Sequence, residues 1–419
     1  MPVNRRQFIK RSAGMVAVGL VAPNIWLREA RAQSGRGRRV FVVIQLAGGT
    51  DGLNTVIPYS ESRYRSLRPN LGFLESELKD EQTRSTVISD RFGLHPAMSE
   101  IKSLYDGGKV AIVLGVGYPN PNLSHFLSMD IYHTANPVDG RGNGWLGRYA
   151  DIALFGKTGL TAASLGGLPV KSFLGQRVVL PNILNFDLYD FLGDPGYPAD
   201  YANQVRSFRR NNAQVYPDNS YIATVARSGV EALDGANRVK TSIGSYQSSV
   251  AYPANNPLAA GLKMAAQMIV TIPELELLYV QMGGFDTHAE QIGENRLAGA
   301  HALLLRYFSQ GVKAFYDDMV EHGMADQVVM MQWSEFGRRP EENASLGTDH
   351  GTAVPMFVIG NPVRGGLYGD QPSLTDLDAG NLRHTVDFRS VYATLLDKWL
   401  VADSNRVLGG TFSDLGFMS

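Results

Sequence analysis

The chain has 419 residues, 44% of them hydrophobic, and sets 39 basic against 40 acidic side chains for a net charge of −1. That length and apolar content suit one large α/β domain or two smaller ones, and the balanced charge offers no basic excess to hold nucleic acid or an anionic membrane surface. The absence of cysteine excludes thiol nucleophiles, thiolate zinc sites and disulfides.

The chain opens with NRRQFIK at residues 4–10, which resembles a twin-arginine translocation motif. A modest apolar stretch follows at 13–21, and then Ala30, Arg31 and Ala32 form a small-x-small cleavage pattern. Charge, apolar run and cleavage site in that order predict an export signal over residues 1–32 and a mature domain over 33–419. The alternative is an uncleaved amphipathic helix. The apolar run is too short to span a bilayer, so no stable membrane span is expected after processing. This predicts a periplasmic or secreted protein whose transient partner is the twin-arginine translocase. That route moves folded proteins, which suits a metal loaded before export.

Residues 40–46, VFVVIQL, are a continuous apolar run rich in β-branched residues and predict a strand buried on both faces. The run ends in AGGTDG, a loop at the strand's carboxyl end. Residues 95–106 predict a helix, with Pro96 near its start and Gly107 and Gly108 closing it. Residues 110–114 predict a second buried strand, and 124–134 a helix after the turn YPNPN. Residues 151–255 carry many Gly, Pro, Asn and Tyr without a regular pattern and read as an insertion or partial cap. Regularity returns with a helix at 257–270 and a strand at 275–280 that runs into QMGGFDTH. Leu297, Leu304, Phe308, Val312, Phe315 and Met319 form one apolar stripe at helical spacing. A strand at 328–333 leads into SEFGRRPEENASLGTDHG, and 355–359 predicts another. Phe388, Val391, Tyr392, Leu395, Leu396 and Trp399 line a closing helix. Such alternation predicts an α/β fold with a mostly parallel central sheet and helices on both faces.

Three of these strands end in loops with acidic or imidazole groups: Asp51 after the first, Asp286 and His288 after the second, Glu335 and then Asp349 and His350 after the third. In a parallel sheet the carboxyl ends share one edge, so these groups are expected to converge. Carboxylates gathered at one point repel without a cation, and a carboxylate and imidazole set suits a divalent ion. Zinc is the first choice, with manganese, calcium or magnesium as alternatives. Asp51 by itself is equally explained by a turn, and Asp349 either ligates or orients His350. His301 lies on an apolar stripe and reads as a packed, hydrogen-bonded core residue.

The segments LAGGTDGLNTVIPY, LSHFLSMDIYHT, GWLGRY, GGFDTH, SEFGRRPEENASLGTDHGTA and DFRSVYATLLDKWL run in order along nearly the whole mature chain. Together they resemble the family called domain of unknown function 1501, which is similar to a branch of the alkaline-phosphatase and sulfatase superfamily. The resemblance implies an alkaline-phosphatase-like fold and metal-binding roles for Asp51, Asp286, His288, Glu335 and His350. It also implies a Ser or Thr nucleophile at a helix start, where Ser124 stands. There the helix N–H groups are placed to bind an anion; the plainer alternative is that Ser124 only caps the helix. His125 is a ligand, an acid/base group or a packing residue. Arg338 and Arg339 are candidates for a bidentate clamp on a phosphate or sulfate, against a solvated loop.

Two features depart from the superfamily pattern. Glu335 and Phe336 stand where phosphatases carry an Asp–His pair, and Asp286 and His288 are more closely spaced than is usual. The site therefore holds one ion, two with altered ligation, or none. The short Cys- or Ser-containing motif of sulfatases is absent. The expected function is hydrolysis of a small phosphate ester or related anionic ester. A non-catalytic cell-envelope binding protein and a sulfohydrolase are the competing readings.

Overall fold

The run Val40–Leu46 forms strand β1, and every residue of it is buried. The computed structural model describes residues 37–79, 85–187, 189–191, 193–194, 196–214, 216–217 and 220–419, and the expected export signal at 1–32 lies outside them. Within Val40–Ser419, a single unit, eight more strands join β1 in one sheet. They are β2 (Val110–Gly117), β3 (Ala162–Leu165), β4 (Asn182–Ile183), β5 (Leu277–Met282), β6 (Val328–Trp333), β7 (Val354–Ile359), β8 (Gly366–Tyr368) and β9 (Val386–Asp387). The order across the sheet is β8-β2-β7-β6-β1-β5-β3-β4, with β9 also beside β2. Every pairing is parallel except those of β7, which runs against both β2 and β6.

The helices that matter here are α1 (Gly52–Thr55), α2 (Ser99–Asp106), α3 (His125–Thr134), α4 (Trp145–Ala153), α5 (Tyr201–Asn212), α6 (Tyr221–Ile243), α7 (Pro257–Thr271), α8 (Ala300–Glu321) and α9 (Phe388–Lys398). Successive side chains of a strand point to opposite faces, and β1 divides its own between two cores. Val40, Val42, Ile44 and Leu46 pack with Ile101 of α2, Leu262 of α7 and Phe308 of α8. Phe41 and Val43 pack with Tyr132 of α3, Trp145 of α4 and Tyr392 of α9. Burying each such side chain stabilises by roughly 1.5–3 kcal/mol, which explains why both faces of the strand are apolar. On the second face the Trp145 and Tyr392 rings stack at 4.3 Å.

The stretch 151–255 is more regular than its composition predicts. It adds β3 and β4 to the edge of the sheet beside β5 and contains α5 and the 23-residue α6. None of α5 is buried, so it shows no apolar stripe. On α6 the buried positions include Ala226, Leu233, Ala236 and Val239, and small side chains among them make a faint stripe. Among the described residues no helix is long and apolar enough to cross a membrane.

Candidate metal centre

The parallel pairing fixes where the loops go. Leu46 of β1 lies beside Met282 of β5, and Gln45 lies beside Trp333 of β6. The loops at 47–51, 283–288 and 334–339 therefore leave the sheet on one edge. β2 is antiparallel to β7, as β6 is, so β2 ends on that edge too and feeds α3. β7 runs the other way and starts there, which brings the residues just before it, His350 included, to the same place. Gly48 permits a close approach of two of these loops. Its φ is +121°, and a Cβ there would lie 2.5 Å from the Asp286 nitrogen.

Among the described residues, His125, Asp286 and His350 form one group able to hold a metal ion, their ligand atoms all within 4.8 Å of one another. His125 Nε2 lies 3.4 Å from Asp286 Oδ2, and His350 Nε2 lies 3.3 Å from Asp286 Oδ1. His288 Nε2 is 3.2 Å from the same Oδ1. Each imidazole is held through its other nitrogen. His125 Nδ1 donates to Glu335 Oε1 at 2.8 Å, His350 Nδ1 to the Leu123 carbonyl at 2.8 Å, and His288 Nδ1 to Asp349 Oδ1 at 3.3 Å. A carbonyl only accepts, so the His350 proton sits on Nδ1 and leaves Nε2 with its lone pair. Holding an imidazole from behind by a carboxylate or carbonyl is how metal-ligating histidines are oriented. His125 Nε2 is buried with no hydrogen-bond partner. A nitrogen left so is costly unless something coordinates it. Two imidazoles and a carboxylate, with a third imidazole adjacent, are a donor set that a divalent ion fits.

Charge around the group is finely set. The hydrogen bond and charge of Glu335 raise the His125 pKa against the effect of burial. Burial lowers that of His350. Burial would raise that of Asp286, but the hydrogen bond and charge of Arg338 outweigh it and keep the carboxyl ionised. The Asn343 hydrogen bond does the same for Asp349. Phe336 packs against both inner imidazoles, with ring centroids 4.7 Å from His125 and 4.8 Å from His350.

The other expected site residues have different settings. Asp51 is outside the group. It caps α1, and its buried carboxylate accepts from Arg68 Nη1 at 2.7 and 2.8 Å and from Gln291 Nε2 at 2.6 Å. Burial would raise its pKa, and Arg68 turns the net shift downward. Glu335 is fully buried and stands behind His125, with the same Oε1 accepting the Gly48 N–H at 2.8 Å. Arg338 is 1% exposed. Its guanidinium bonds the carbonyls of Gly48, Gly49, Phe285 and Thr348 as well as Asp286 Oδ1 at 2.7 Å, tying three loops together. Arg339 keeps a buried Nε without a partner and lies near enough to Asp349 to help lower its pKa. Ser124 is exposed and begins α3, but its side chain makes no capping bond. It sits between Leu123, which holds His350, and His125. His301 is packed as expected, yet both its ring nitrogens lack a hydrogen-bond partner.

Arg68, Gln291, Phe336 and Leu123 carry no sequence signal of a site. Arg68 and Gln291 meet Asp51 across 17 and 240 residues. Leu123 acts through its carbonyl, which any residue has. Phe336 stands where a metal-binding imidazole would be looked for, and only the packing shows its part.

No curated protein matches the sequence. Solved structures resemble the chain at low scores. Ps i-CgsB bound to k-i-k-neocarrahexaose has a TM-score of 0.39 and 9% identity, covering 91% of this chain and 75% of its own. A protein in the alkaline phosphatase superfamily from Vibrio parahaemolyticus has a TM-score of 0.36 and 10% identity, covering 90% and 70%. The PsFucS1 sulfatase from Pseudoalteromonas sp. has a TM-score of 0.35 and 12% identity, covering 94% and 74%. The model of the family described as a protein of unknown function, DUF1501, matches residues 38–411, and the chain belongs to that family.

Proposed function

We propose that this protein is an exported hydrolase of phosphate esters or related anionic esters that works with one bound divalent ion. The observation that carries the reading is the arrangement around Asp286. Three imidazoles turn their Nε2 atoms to one carboxylate while their Nδ1 atoms are held from behind. His125, Asp286 and His350 would hold the ion, with His288 in reach as a fourth donor. Glu335, Asp349 and the Leu123 carbonyl set the directions of the rings. Mixed imidazole and carboxylate donors favour zinc or manganese over calcium and magnesium, which prefer oxygen alone. Asp51 then has a structural role, as the buried partner of Arg68.

When bound, the ion supplies charge that polarises the ester and favours ionisation of an attacking hydroxyl. Ser124 Oγ is the nucleophile of this reading. It is exposed and free of a capping bond, at a helix end whose N–H groups favour an anion. Arg339, with its unpartnered Nε, is the cation available to the ester's charged oxygens. Arg338 is already saturated and holds Asp286 in place. Residues 1–32 carry the folded protein to the periplasm or the exterior.

The test is elemental analysis of the purified protein together with a panel of chromogenic phosphate monoesters, phosphate diesters and sulfate esters under several divalent metals. One equivalent of metal with turnover of at least one ester is expected, and Asp286→Ala and His350→Ala should lose both. Metal-free protein that neither binds zinc nor turns over any ester would sink the reading.

A further inference from the structure

Among the described residues, Val138 at 87%, Phe126 at 83% and Leu168 at 79% are the most exposed large apolar side chains. Single exposed apolar residues are ordinary, whereas a group of them marks a surface that meets something. These three surround one ion pair. Asp130 stands one turn after Phe126 on the same face of α3, and its carboxylate meets Lys171 Nζ at 2.7 Å. Lys171 also donates to the Gly140 carbonyl at 2.8 Å. Gly140 lies so close to α3 that a Cβ on it would be 2.9 Å from the Asp130 Cβ. Val138 stands two residues before Gly140, and Leu168 three before Lys171. At most about 7 and 11 Å of chain therefore separate them from residues that touch Asp130.

The group borders the metal centre along open surface. Phe126 directly follows His125, a member of the metal group, and about 3.8 Å separates their Cα atoms. β3 runs parallel to β5, so Leu168, three residues past the end of β3, leaves the sheet at the edge where Asp286 lies. The Leu168 carbonyl accepts Gln281 Nε2 at 3.0 Å, and Gln281 stands five residues before Asp286. Gln281 shares the sheet face of Tyr279, which packs in the same core as Tyr132 of α3. Leu168 and Phe126 thus belong to one face and one edge of the sheet. In the loops after β3 and β5, a Cβ on Gly166 or Gly283 would meet nothing within 4 Å. The Asp286 and His288 side chains are 48% and 45% exposed, so the metal group itself opens to solvent.

We infer that this rim receives the alcohol portion of the ester, and that this portion is an uncharged apolar group, an alkyl chain or ring of several carbons. With the charged end of the ester at the metal group, the alcohol extends over Phe126 toward Leu168 and Val138, and burial of its carbons against them strengthens binding. The charges within the rim cancel in pairs, Asp130 with Lys171 and Asp139 with Arg141 at 3.8 Å. The rim therefore offers no cationic field for an anionic surface and no lone charge for a charged alcohol. Phe126 is the side chain nearest in the chain to the metal group and contributes most to the choice of ester. The inference rests on the metal-dependent ester reading.

The experiment measures kcat/KM of the zinc-loaded full chain for octyl phosphate and ethyl phosphate, and for the two corresponding sulfates, below the concentration at which the octyl esters form micelles. Both leaving groups are primary alcohols of similar acidity, so the octyl-to-ethyl ratio reads contact with the chain and not bond reactivity. The wild-type ratio is expected to exceed ten. Phe126→Ser should lower it at least threefold, and Phe126→Ser with Leu168→Ser at least tenfold, with one equivalent of zinc retained. Both positions are exposed, so these changes leave the fold intact. Binding to phosphatidylcholine vesicles is measured on the same proteins. A wild-type ratio near one, or a ratio that the double variant leaves unchanged, overturns the rim assignment and leaves the ester reading standing. Vesicle binding that Phe126→Ser abolishes while the ratio stays unchanged also overturns it, because the rim then meets a membrane. A wild-type chain that turns over no ester overturns the ester reading, and the rim assignment falls with it.

Discussion

Glu335 Oε1 accepts the Nδ1–H of His125 at 2.8 Å and, on the same oxygen, the backbone N–H of Gly48. One buried carboxylate thereby ties the first loop of the sheet to the imidazole that begins α3. Replacing Glu335 by Gln keeps the shape and removes the charge. Zinc affinity, measured by competition with a chromophoric chelator, should fall about 10–100-fold. An affinity within twofold of wild type would mean that His125 is not oriented by this contact.

Ser124 separates chemistry from folding cleanly. Its side chain makes no capping bond in α3, so Ser124→Ala should change stability by less than about 0.5 kcal/mol. Metal content should be unchanged while ester turnover falls by at least about a hundredfold. Turnover at the wild-type rate would remove Ser124 from the reaction.

Arg338 predicts the opposite pattern. Its guanidinium is buried against four carbonyls and Asp286. Arg338→Met leaves the four carbonyls without their donor and takes a buried cation from Asp286, which should cost roughly 3–5 kcal/mol in urea unfolding. A loss below about 1 kcal/mol would show that the loops hold one another without it.

Acid should weaken the fold through its buried histidines. Burial lowers the pKa of His95 to about 3 and those of His133 and His301 to about 4. All three are neutral in the folded chain, and the unfolded chain binds their protons below about pH 6.5. Their contribution to stability is therefore full above that pH and is lost as pH falls toward the folded values. Each proton taken up on unfolding adds about 1.4 kcal/mol per pH unit to the slope. Urea melts between pH 7 and pH 4 should show this fall, and His301→Leu should reduce the slope by about one proton. A slope that His301→Leu leaves untouched would place the acid sensitivity elsewhere.

The sequence by itself determined the layered α/β fold, because nearly continuous apolar runs such as Val40–Leu46, broken only by Gln45, need both faces covered, which layers of helices supply. It also marked the loops that matter, since polar groups just past a buried strand must lie at the edge of a parallel sheet. Asp286 and His288 are legible in this way. The helices α5 and α6 are not, because the first buries nothing and the second buries several small residues that leave little periodic trace.

Only the tertiary structure decided which acidic group faces which partner. Asp51 and Glu335 stand in similar loops and look alike as candidate ligands. Arg68, 17 residues from Asp51 in the chain, claims the first, and His125, 210 residues from Glu335, turns the second into its support. A pairing across such distances depends on how strands order and which way they run. The reversed β7 is the clearest case, since it alone brings the segment holding His350 to the edge where His125 and Asp286 already lie.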